Sequence, residues 1–130
     1  SLIERETGGP QESDRIARVI YNRLLVGPEH DIFALEIDAT NQYEADVTGR
    51  PVDFESPSPY NSRDGLELPP TPIAAPGRAS IDAAMSPAPN PVEGPPLLYY
   101  VLEAPGQHIF TGDYDEFLDA RRECQEQGLC

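Results

Sequence analysis

Apolar residues at helical spacing mark the clearest element of the chain. They recur three and four positions apart, which predicts a helix with one buried face. These apolar positions are Ile16, Val19, Ile20 and Leu24. Ser13-Asp14-Arg15 offers side chains that cap helix N-termini, and Gly27-Pro28 offers residues that end helices. The pattern therefore predicts one helix between these two signals.

Three other stretches carry weaker helical signals. Asp38-Ala39-Thr40 predicts the start of a short helix that runs through Tyr43. The stretch from Ser80 to Met85 has helical composition and is closed by Pro87. From Tyr114 to about Gly128, apolar residues again keep helical spacing beside a strongly charged outer face, which predicts a final helix.

Strand and loop patterns occupy the remaining chain. Leu97–Leu102 and Gln107–Thr111 are apolar and aromatic runs separated by a Pro-Gly turn, which predicts a β-hairpin. Residues 48–59 predict an ordered loop, because turn residues and scattered apolar residues alternate there. Residues 68–77 contain four prolines and predict a rigid, extended loop. The fold class predicted is α+β, a single small domain of several short helices with a β-hairpin or small antiparallel sheet.

The first seven residues, Ser1 to Thr7, carry the most informative chemistry. If they form the end of a helix, Glu6 shares a face with Leu2 and Ile3, whereas Glu4 is turned away. Apolar surroundings raise the pKa of a carboxyl group, and an acid that is protonated near neutral pH can donate a proton. Glu6 is therefore the candidate acid and Glu4 the second choice. A frayed terminus with two solvated acids is the alternative.

Composition excludes several classes of function. The net charge of −14 argues against nucleic acid or an anionic bilayer as the main partner. All nine basic residues are Arg, so no lysine chemistry is available on this chain. No apolar run approaches the roughly 20 residues that span a bilayer, so we expect this segment to make no membrane contact. No phosphate-binding loop or paired-His motif is present, so we expect no cofactor and no metal.

Six other residues deserve a functional hypothesis. Cys124 and Cys130 are six positions apart around a glycine, a spacing that permits a disulfide and is too sparse for a thiolate zinc site. His108, on a predicted strand, is favoured over His30 for function, with a structural histidine as the alternative. Tyr60-Asn61-Ser62 offers hydrogen-bonding groups suited to sugars, with an ordinary turn as the alternative.

Several of these segments follow one another in a recognisable order. The matching segments are Ile3-Glu4-Arg5-Glu6-Thr7, Tyr21-Asn22-Arg23-Leu24, Leu35 to Tyr43, Tyr60-Asn61-Ser62, Leu68 to Gly77, Leu98 to Val101 and His108 to Phe110. They resemble blocks of the C-terminal catalytic region of the YceG-like (MltG-type) endolytic murein lytic transglycosylase family. The strongest, Leu68 to Gly77, is similar to that family's Leu-Pro-Pro-Gly-Pro-Ile-Ala-Asn-Pro-Gly. Thr71 and Ala75 depart from it, and Phe117-Leu118 stands where the family usually has His-Asn.

The resemblance implies an activity. The family cleaves the β-1,4 bond between N-acetylmuramic acid and N-acetylglucosamine with formation of a 1,6-anhydro ring. The second Glu of the opening block, Glu6 here, would be the catalytic general acid and base. Tyr60 and Asn61 would bind the sugar or orient Glu6, and His108 and Glu4 would also bind substrate. Hydrolysis by water is a competing mechanism and would need a second carboxylate near Glu6, such as Glu4, Asp38 or Asp64.

The resemblance also implies a setting. Residues 1–130 would form a partial catalytic domain of a longer protein whose N-terminal part is absent. The partners would be peptidoglycan glycan strands, with cell-wall synthesis proteins as further partners. The full-length protein would lie at the extracytoplasmic face of a bacterial membrane with a single-pass anchor. A non-catalytic peptidoglycan-binding or divisome scaffolding module is the alternative function.

Overall fold

Five helices and one β-hairpin form the structure, a computed structural model that describes residues 1–130. The elements are α1 (Leu2–Glu6), α2 (Ser13–Val26), α3 (Ala39–Thr48), α4 (Arg78–Met85), β1 (Tyr99–Ala104), β2 (Gln107–Thr111) and α5 (Tyr114–Glu126). Single 3₁₀ turns cover Pro10–Glu12 and Gly27–His30. This arrangement confirms the α+β fold class. None of the five helices is both long and apolar enough to cross a membrane.

Most element boundaries follow the sequence signals. Helix α2 begins at Ser13 and gives way at Gly27, as predicted. Helix α3 runs past the predicted Tyr43 because it buries Ala45, and it ends at Gly49, whose left-handed φ of 68° suits glycine. Helix α4 starts two residues before the predicted Ser80, and β1 starts two residues after the predicted Leu97.

Helix α2 lies at the centre of the main core. Helices α1 and α4 pack directly on it, and α1 also contacts α3. Nine buried apolar residues form one continuous cluster: Leu2, Ile3, Ile16, Ala17, Ile20, Leu35, Ile37, Ile73 and Ala83. Although α1 has only five residues, Leu2 and Ile3 anchor it in this cluster. A helix this short is stable only through such tertiary packing.

The hairpin and α5 form the second half of the core. Strands β1 and β2 are antiparallel, with Tyr100 opposite Phe110 and Leu102 opposite His108. Helix α5 packs on β1, and the Tyr99 ring stacks on that of Phe117 at a centroid distance of 4.8 Å. The side chain of Asp113 caps α5 by accepting a hydrogen bond from the Glu116 N–H at 3.0 Å.

A disulfide joins Cys124 near the end of α5 to Cys130, with the two Cα atoms 5.5 Å apart. The chain turns back between them at Gly128, which adopts a left-handed φ of 70°. The spacing of the two cysteines in the sequence permits this bridge, and the structure contains it. The covalent link therefore fixes the C-terminal turn against α5.

The proline-rich segment from residue 68 to 77 contains neither helix nor strand, as predicted. One apolar residue, Ile73, inserts from it into the main core, and the Ile73 N–H donates to the Ser1 hydroxyl at 3.1 Å. These contacts hold the loop beside the start of α1. The segment is thus a packed wall rather than a detached linker.

Candidate active site

Helix α1 presents two carboxylates to two different neighbours. Leu2 and Ile3 are buried, Glu6 is half-buried above them, and Glu4 is exposed. This is the facing that helical geometry predicts. The helix ends at Thr7, and the Thr7 and Ser13 side-chain oxygens, 3.3 Å apart, tie it to α2. Glu6 therefore occupies a fixed position at the C-terminal end of α1.

The chain after Glu6 passes directly against the turn of the hairpin. A Cβ atom added to Gly8 would overlap the backbone of Gly106, so only glycine fits at position 8. Gly106 itself adopts a left-handed φ of 71° in that turn. This close approach brings the end of α1 beside the hairpin strands.

One oxygen of the Glu6 carboxyl group is held and the other is free. The Tyr100 hydroxyl on β1 donates to Glu6 Oε2 at 2.6 Å. Glu6 Oε1 has no protein partner and is not enclosed, so it is accessible from outside the protein. An acid catalyst needs this combination, because its orientation must be fixed while its proton remains within reach of substrate.

The surroundings of Glu6 favour its protonated form. Burial raises the pKa of Glu6 above its ordinary value because desolvation penalises the carboxylate. The hydrogen bond from Tyr100 opposes this shift, the negative charge of Asp38 adds to it, and the nearby His108 and Arg23 oppose it. Burial prevails. Glu6 is therefore a better proton donor near neutral pH than a solvated glutamate.

Tyr100 remains a hydrogen-bond donor at neutral pH. Burial raises the pKa of the Tyr100 phenol well above its ordinary value, and the charge and hydrogen bond of Glu6 raise it further. The phenol therefore keeps its proton and always donates to Glu6. This geometry makes Tyr100 the immediate support of the candidate acid.

A second carboxylate, that of Glu12, packs against strand β2 of the hairpin. Glu12 is only 1% exposed and binds His108 twice. Its Oε1 accepts the His108 backbone N–H at 2.7 Å, and its Oε2 contacts His108 Nδ1 at 2.9 Å. Burial acts to raise the pKa of Glu12, but the hydrogen bonds and charge of His108 outweigh it and lower that pKa. Glu12 is therefore ionised at neutral pH.

The His108 ring links this pair to the candidate acid. It meets the Tyr100 ring edge-on, with centroids 5.5 Å apart, and the Tyr100 hydroxyl binds Glu6. The structure therefore brings two predicted site residues, Glu6 and His108, to the same surface. Tyr100 connects them.

Arg23 and Asp38 supply opposite charges near Glu6. Arg23 is buried on α2, and it donates to the backbone carbonyls of Leu98 at 2.7 Å and Leu35 at 2.8 Å. Asp38 precedes α3 and binds the Arg63 guanidinium through both oxygens, at 2.7 and 2.8 Å. Each charge is thus held by contacts that do not involve Glu6.

Glu4 faces α4 and not the hairpin. Its carboxylate accepts hydrogen bonds from the Ser80 hydroxyl and from the Gly77 N–H at 3.0 Å. These bonds, with that of Ser80 the stronger influence, lower the pKa of Glu4. Helix α4 has no cap from its own chain segment, so Glu4 caps it from α1. An ionised cap cannot donate a proton at neutral pH.

Tyr60 and Asn61 lie in the loop between α3 and α4. The Tyr60 hydroxyl and the Thr71 hydroxyl are 2.7 Å apart, and the Tyr60 ring packs on the main core. The Asn61 side-chain NH₂ donates to the carbonyls of Phe54 and Ser56, and its oxygen accepts from Asn41 and the Arg63 N–H. Neither residue bonds Glu6 or His108. As it lies, the Asn61 amide has no hydrogen-bonding capacity left.

An apolar groove of about 320 Å³ lies between α1, α2 and the proline-rich loop. Leu2, Ile3, Ile20 and the residues from 68 to 72 line it, but Glu6 does not. The loop therefore forms a wall beside α1, on a different side of the helix from the candidate acid.

Three residues of the site are absent from the sequence-based prediction: Tyr100, Glu12 and Arg23. Glu12 had a signal, because it lies four positions before Ile16 and so continues the apolar face of α2. Tyr100 and Arg23 lie within segments that carry the resemblance, but no local pattern indicates the contacts they make. The Tyr100 bond to Glu6 and the Arg23 bond to Leu98 each join residues more than 70 positions apart in sequence.

Together the fold and the site define a small α+β domain with one half-buried, hydrogen-bonded glutamic acid beside a buried carboxylate–histidine pair. The chain belongs to the YceG-like family, whose model matches residues 1–123. This confirms the resemblance found in the sequence.

Individual relatives agree with the family. Over 124 residues the chain is 33% identical to the endolytic murein transglycosylase of Bacillus subtilis (strain 168), covering 93% of this chain and 32% of that protein. The fold is similar to the crystal structure of lmo1499 from Listeria monocytogenes, a protein described as yceG-like. The TM-score is 0.68 at 30% identity, covering 92% of this chain and 36% of the other. The chain thus spans about a third of the length of these relatives.

Proposed function

We propose that this chain is the catalytic part of a lytic transglycosylase that cleaves peptidoglycan, with Glu6 as general acid and then general base. The observation that carries the proposal is the state of Glu6. Its pKa is raised by burial, one oxygen is held by Tyr100 at 2.6 Å, and the other is accessible. Family membership supplies the substrate class, since a relative is an endolytic murein transglycosylase.

The proposed reaction needs no water. Protonated Glu6 gives its proton to the glycosidic oxygen as the bond from that oxygen to C1 of the muramic acid breaks. Ionised Glu6 then takes the proton of the muramic C6 hydroxyl, whose oxygen bonds to C1 and closes a 1,6-anhydro ring. Glu6 ends protonated, as it began. General acid–base help of this kind contributes roughly two to four orders of magnitude in rate.

A single carboxylate suffices because the nucleophile belongs to the substrate. Most glycosidases instead use two carboxylates, the second as nucleophile or as base for water. Of the three carboxylates named for that part, Asp64 is exposed and the other two are already engaged. Glu4 caps α4, and Asp38 is paired with Arg63 through both oxygens. These contacts favour transglycosylation over hydrolysis.

Substrate would be gripped beside Glu6. His108 is the best placed of the predicted binding residues, because it shares the Glu6 surface through Tyr100. Roles for Tyr60, Asn61 and Glu4 in binding sugar remain predictions. The proposal sets the chain at the extracytoplasmic cell wall, within a longer membrane-anchored protein, with glycan strands as its partner and cell-wall synthesis proteins as further ones.

The test compares Glu6→Gln with wild type in the full-length protein. Purified glycan strands are digested, and the products are separated and weighed by mass spectrometry. We expect anhydro-muramic products from wild type and a loss of about two to four orders of magnitude in the variant. Glu126→Gln is the matched control, since it makes the same substitution at an exposed position on α5. Circular dichroism checks that both variants fold.

Each other outcome has a defined meaning. Unchanged release of anhydro products by Glu6→Gln would remove Glu6 from the mechanism. Products heavier by one water would show hydrolysis. Retention of glycan strands by wild type without any cleavage would favour the non-catalytic binding module.

A further inference from the structure

The buried pair of Glu12 and His108 has a geometry that the proposed reaction does not explain. Glu12 is 1% exposed, and both of its carboxylate oxygens bind His108. One contacts the backbone N–H and the other contacts the ring. A buried carboxylate is costly unless it is fully hydrogen-bonded. A hairpin can be held by apolar packing alone. The buried carboxylate of Glu12 therefore indicates a role in controlling the His108 ring.

An ionised carboxylate determines which ring nitrogen carries the proton. Carboxylate oxygens only accept hydrogen bonds, so the 2.9 Å contact with Glu12 Oε2 requires the proton on His108 Nδ1. In the neutral ring, Nε2 is then left with a lone pair. The hydrogen bond from the His108 backbone N–H to Glu12 holds the carboxylate beside the His108 ring. This bond opposes rotation of the carboxylate away from the ring.

The second ring nitrogen is not fully buried. His108 Nε2 has no partner in the protein, and the side chain is only 11% exposed, yet no polar atom of it is sealed off. The ring also sits edge-on to Tyr100, the residue that holds Glu6. An accessible acceptor thus lies beside the candidate acid on a ring whose position is fixed from behind.

We infer that Glu12 is a positioning residue that locks His108 in its Nδ1–H form, so that Nε2 accepts a hydrogen bond from a hydroxyl of the bound glycan. This inference rests on the proposed function for the identity of the ligand. The assignment of the tautomer does not, because it follows from the contacts of Glu12 alone.

The tautomer is measured first, without substrate. Nitrogen-15 NMR of the chain distinguishes a protonated from an unprotonated ring nitrogen, at a pH high enough that the ring shifts no longer change. We expect His108 to carry its proton on Nδ1. His30, which has no carboxylate partner, is the internal reference. A proton on Nε2 of His108, or a mixture like that of His30, would overturn the inference whether or not the chain cleaves glycan.

Glu12→Gln tests the cause of the tautomer. The Gln carbonyl still accepts the His108 backbone N–H, but its NH₂ now faces Nδ1 and donates to it. We expect the ring proton to move to Nε2. An unchanged tautomer in a folded variant would show that Glu12 does not set it. The wild-type measurement decides the matter if this variant does not fold.

Two substitutions of His108 separate its bond to Glu12 from its proposed bond to the glycan. In His108→Asn the amide N–H lies near the place of Nδ1 and keeps the bond to Glu12, while the Nε2 acceptor is lost. In His108→Gln the amide reaches the place of Nε2, while the bond to Glu12 is lost. We expect Asn to keep the unfolding midpoint and lower kcat/KM by about tenfold. Gln should lower the midpoint and keep more activity.

The activity results are judged against an active wild type and Glu6→Gln. Equal kcat/KM in His108→Asn and wild type would overturn the role of Nε2. If wild type itself releases no anhydro product, the proposed function fails, and the NMR result still decides whether Glu12 positions the ring. The two failures are therefore distinguishable.

Discussion

The two faces of α1 carry the same chemical group in opposite states. On the hairpin face, Glu6 is half-buried, bonded once by Tyr100, and its pKa is raised by burial. On the α4 face, Glu4 is exposed, bonded by Ser80 and Gly77, and its pKa is lowered by those bonds. Only two positions separate them in sequence. The neighbours, not the residue type, raise the pKa of one carboxyl group and make the other a helix cap.

The difference shows how a five-residue helix can support a reactive group. Glu4 fastens α1 to α4, Leu2 and Ile3 fasten it to the core, and Glu6 is left with one fixed and one free oxygen. A stable ionised group on one face thus helps to hold a protonatable group on the other. Mutations that exchange or remove these supports test the comparison.

The largest effect is expected from matched Glu→Gln substitutions on the two faces. Glu6→Gln removes the proton donor, so kcat/KM should fall by about two to four orders of magnitude. Glu4→Gln keeps a carbonyl oxygen that accepts from Ser80 and Gly77, so the loss should be at most about tenfold. Assays of anhydro-product release measure both. A greater loss in Glu4→Gln than in Glu6→Gln would reverse the assignment of acid and cap.

The next effect concerns the stability of the hairpin face. Glu12→Ala removes two hydrogen bonds to His108 and empties a buried site, so it should lower the free energy of unfolding by about 3 kcal/mol. Urea denaturation measures this. Glu126→Ala, at an exposed position on α5, is the control and should change the free energy of unfolding by less than about 0.5 kcal/mol. Equal effects would mean that Glu12 does not brace the hairpin.

The free energy of unfolding of wild type should depend on pH, because only ionised Glu12 supports the hairpin. The pKa of Glu12 is lower in the folded chain than in the unfolded one, so its contribution is present above its ordinary pKa. That contribution is lost as pH falls through the folded value. Urea midpoints measured from neutral to acid pH should therefore fall, and Glu12→Ala should flatten the decline. A parallel decline in both proteins would contradict the coupling.

A smaller effect is expected from Tyr100→Phe, which removes the hydroxyl and keeps the ring. The Tyr100 hydrogen bond favours ionised Glu6, so its loss should raise the pKa of Glu6 further. Glu6 is active when protonated, so the alkaline limb of the pH–rate profile should move to higher pH. Stability should fall by about 1 kcal/mol. Tyr114→Phe, at an exposed position on α5, is the control. A limb that stays fixed or moves to lower pH would contradict this reasoning.

Sequence reasoning reached the fold and part of the geometry of the candidate site for physical reasons. Helix α2 and the hairpin were predictable because periodicity and turn residues act locally, and the facing of Glu4 and Glu6 follows from helical geometry alone. Partners were not predictable. The bonds from Tyr100 to Glu6, from His108 to Glu12 and from Ser80 to Glu4 join elements far apart in sequence.

Asn61 shows the same limit of prediction from sequence, here for a residue that was predicted to bind sugar. Its residue type suits sugar binding, and its place in a turn was predictable. Its amide nevertheless has all its donors and acceptors engaged in the loop between α3 and α4. Hydrogen-bonding capacity is a property of the folded surroundings, and no local pattern reports it.

The smallest effect is expected on the α4 face, from Ser80→Ala. The Ser80 hydroxyl is the main cause of the lowered pKa of Glu4, so its removal should return that pKa toward the ordinary value. A lowered folded pKa stabilises the protein above the ordinary pKa and ceases to do so as pH falls through the folded value. The urea midpoint of Ser80→Ala should therefore lie below that of wild type at neutral pH, by less than for Tyr100→Phe, and the gap should narrow in acid. Activity should change little, since the Gly77 N–H still holds Glu4. A loss of activity as large as that of Glu6→Gln would show that the two faces of α1 are not separable.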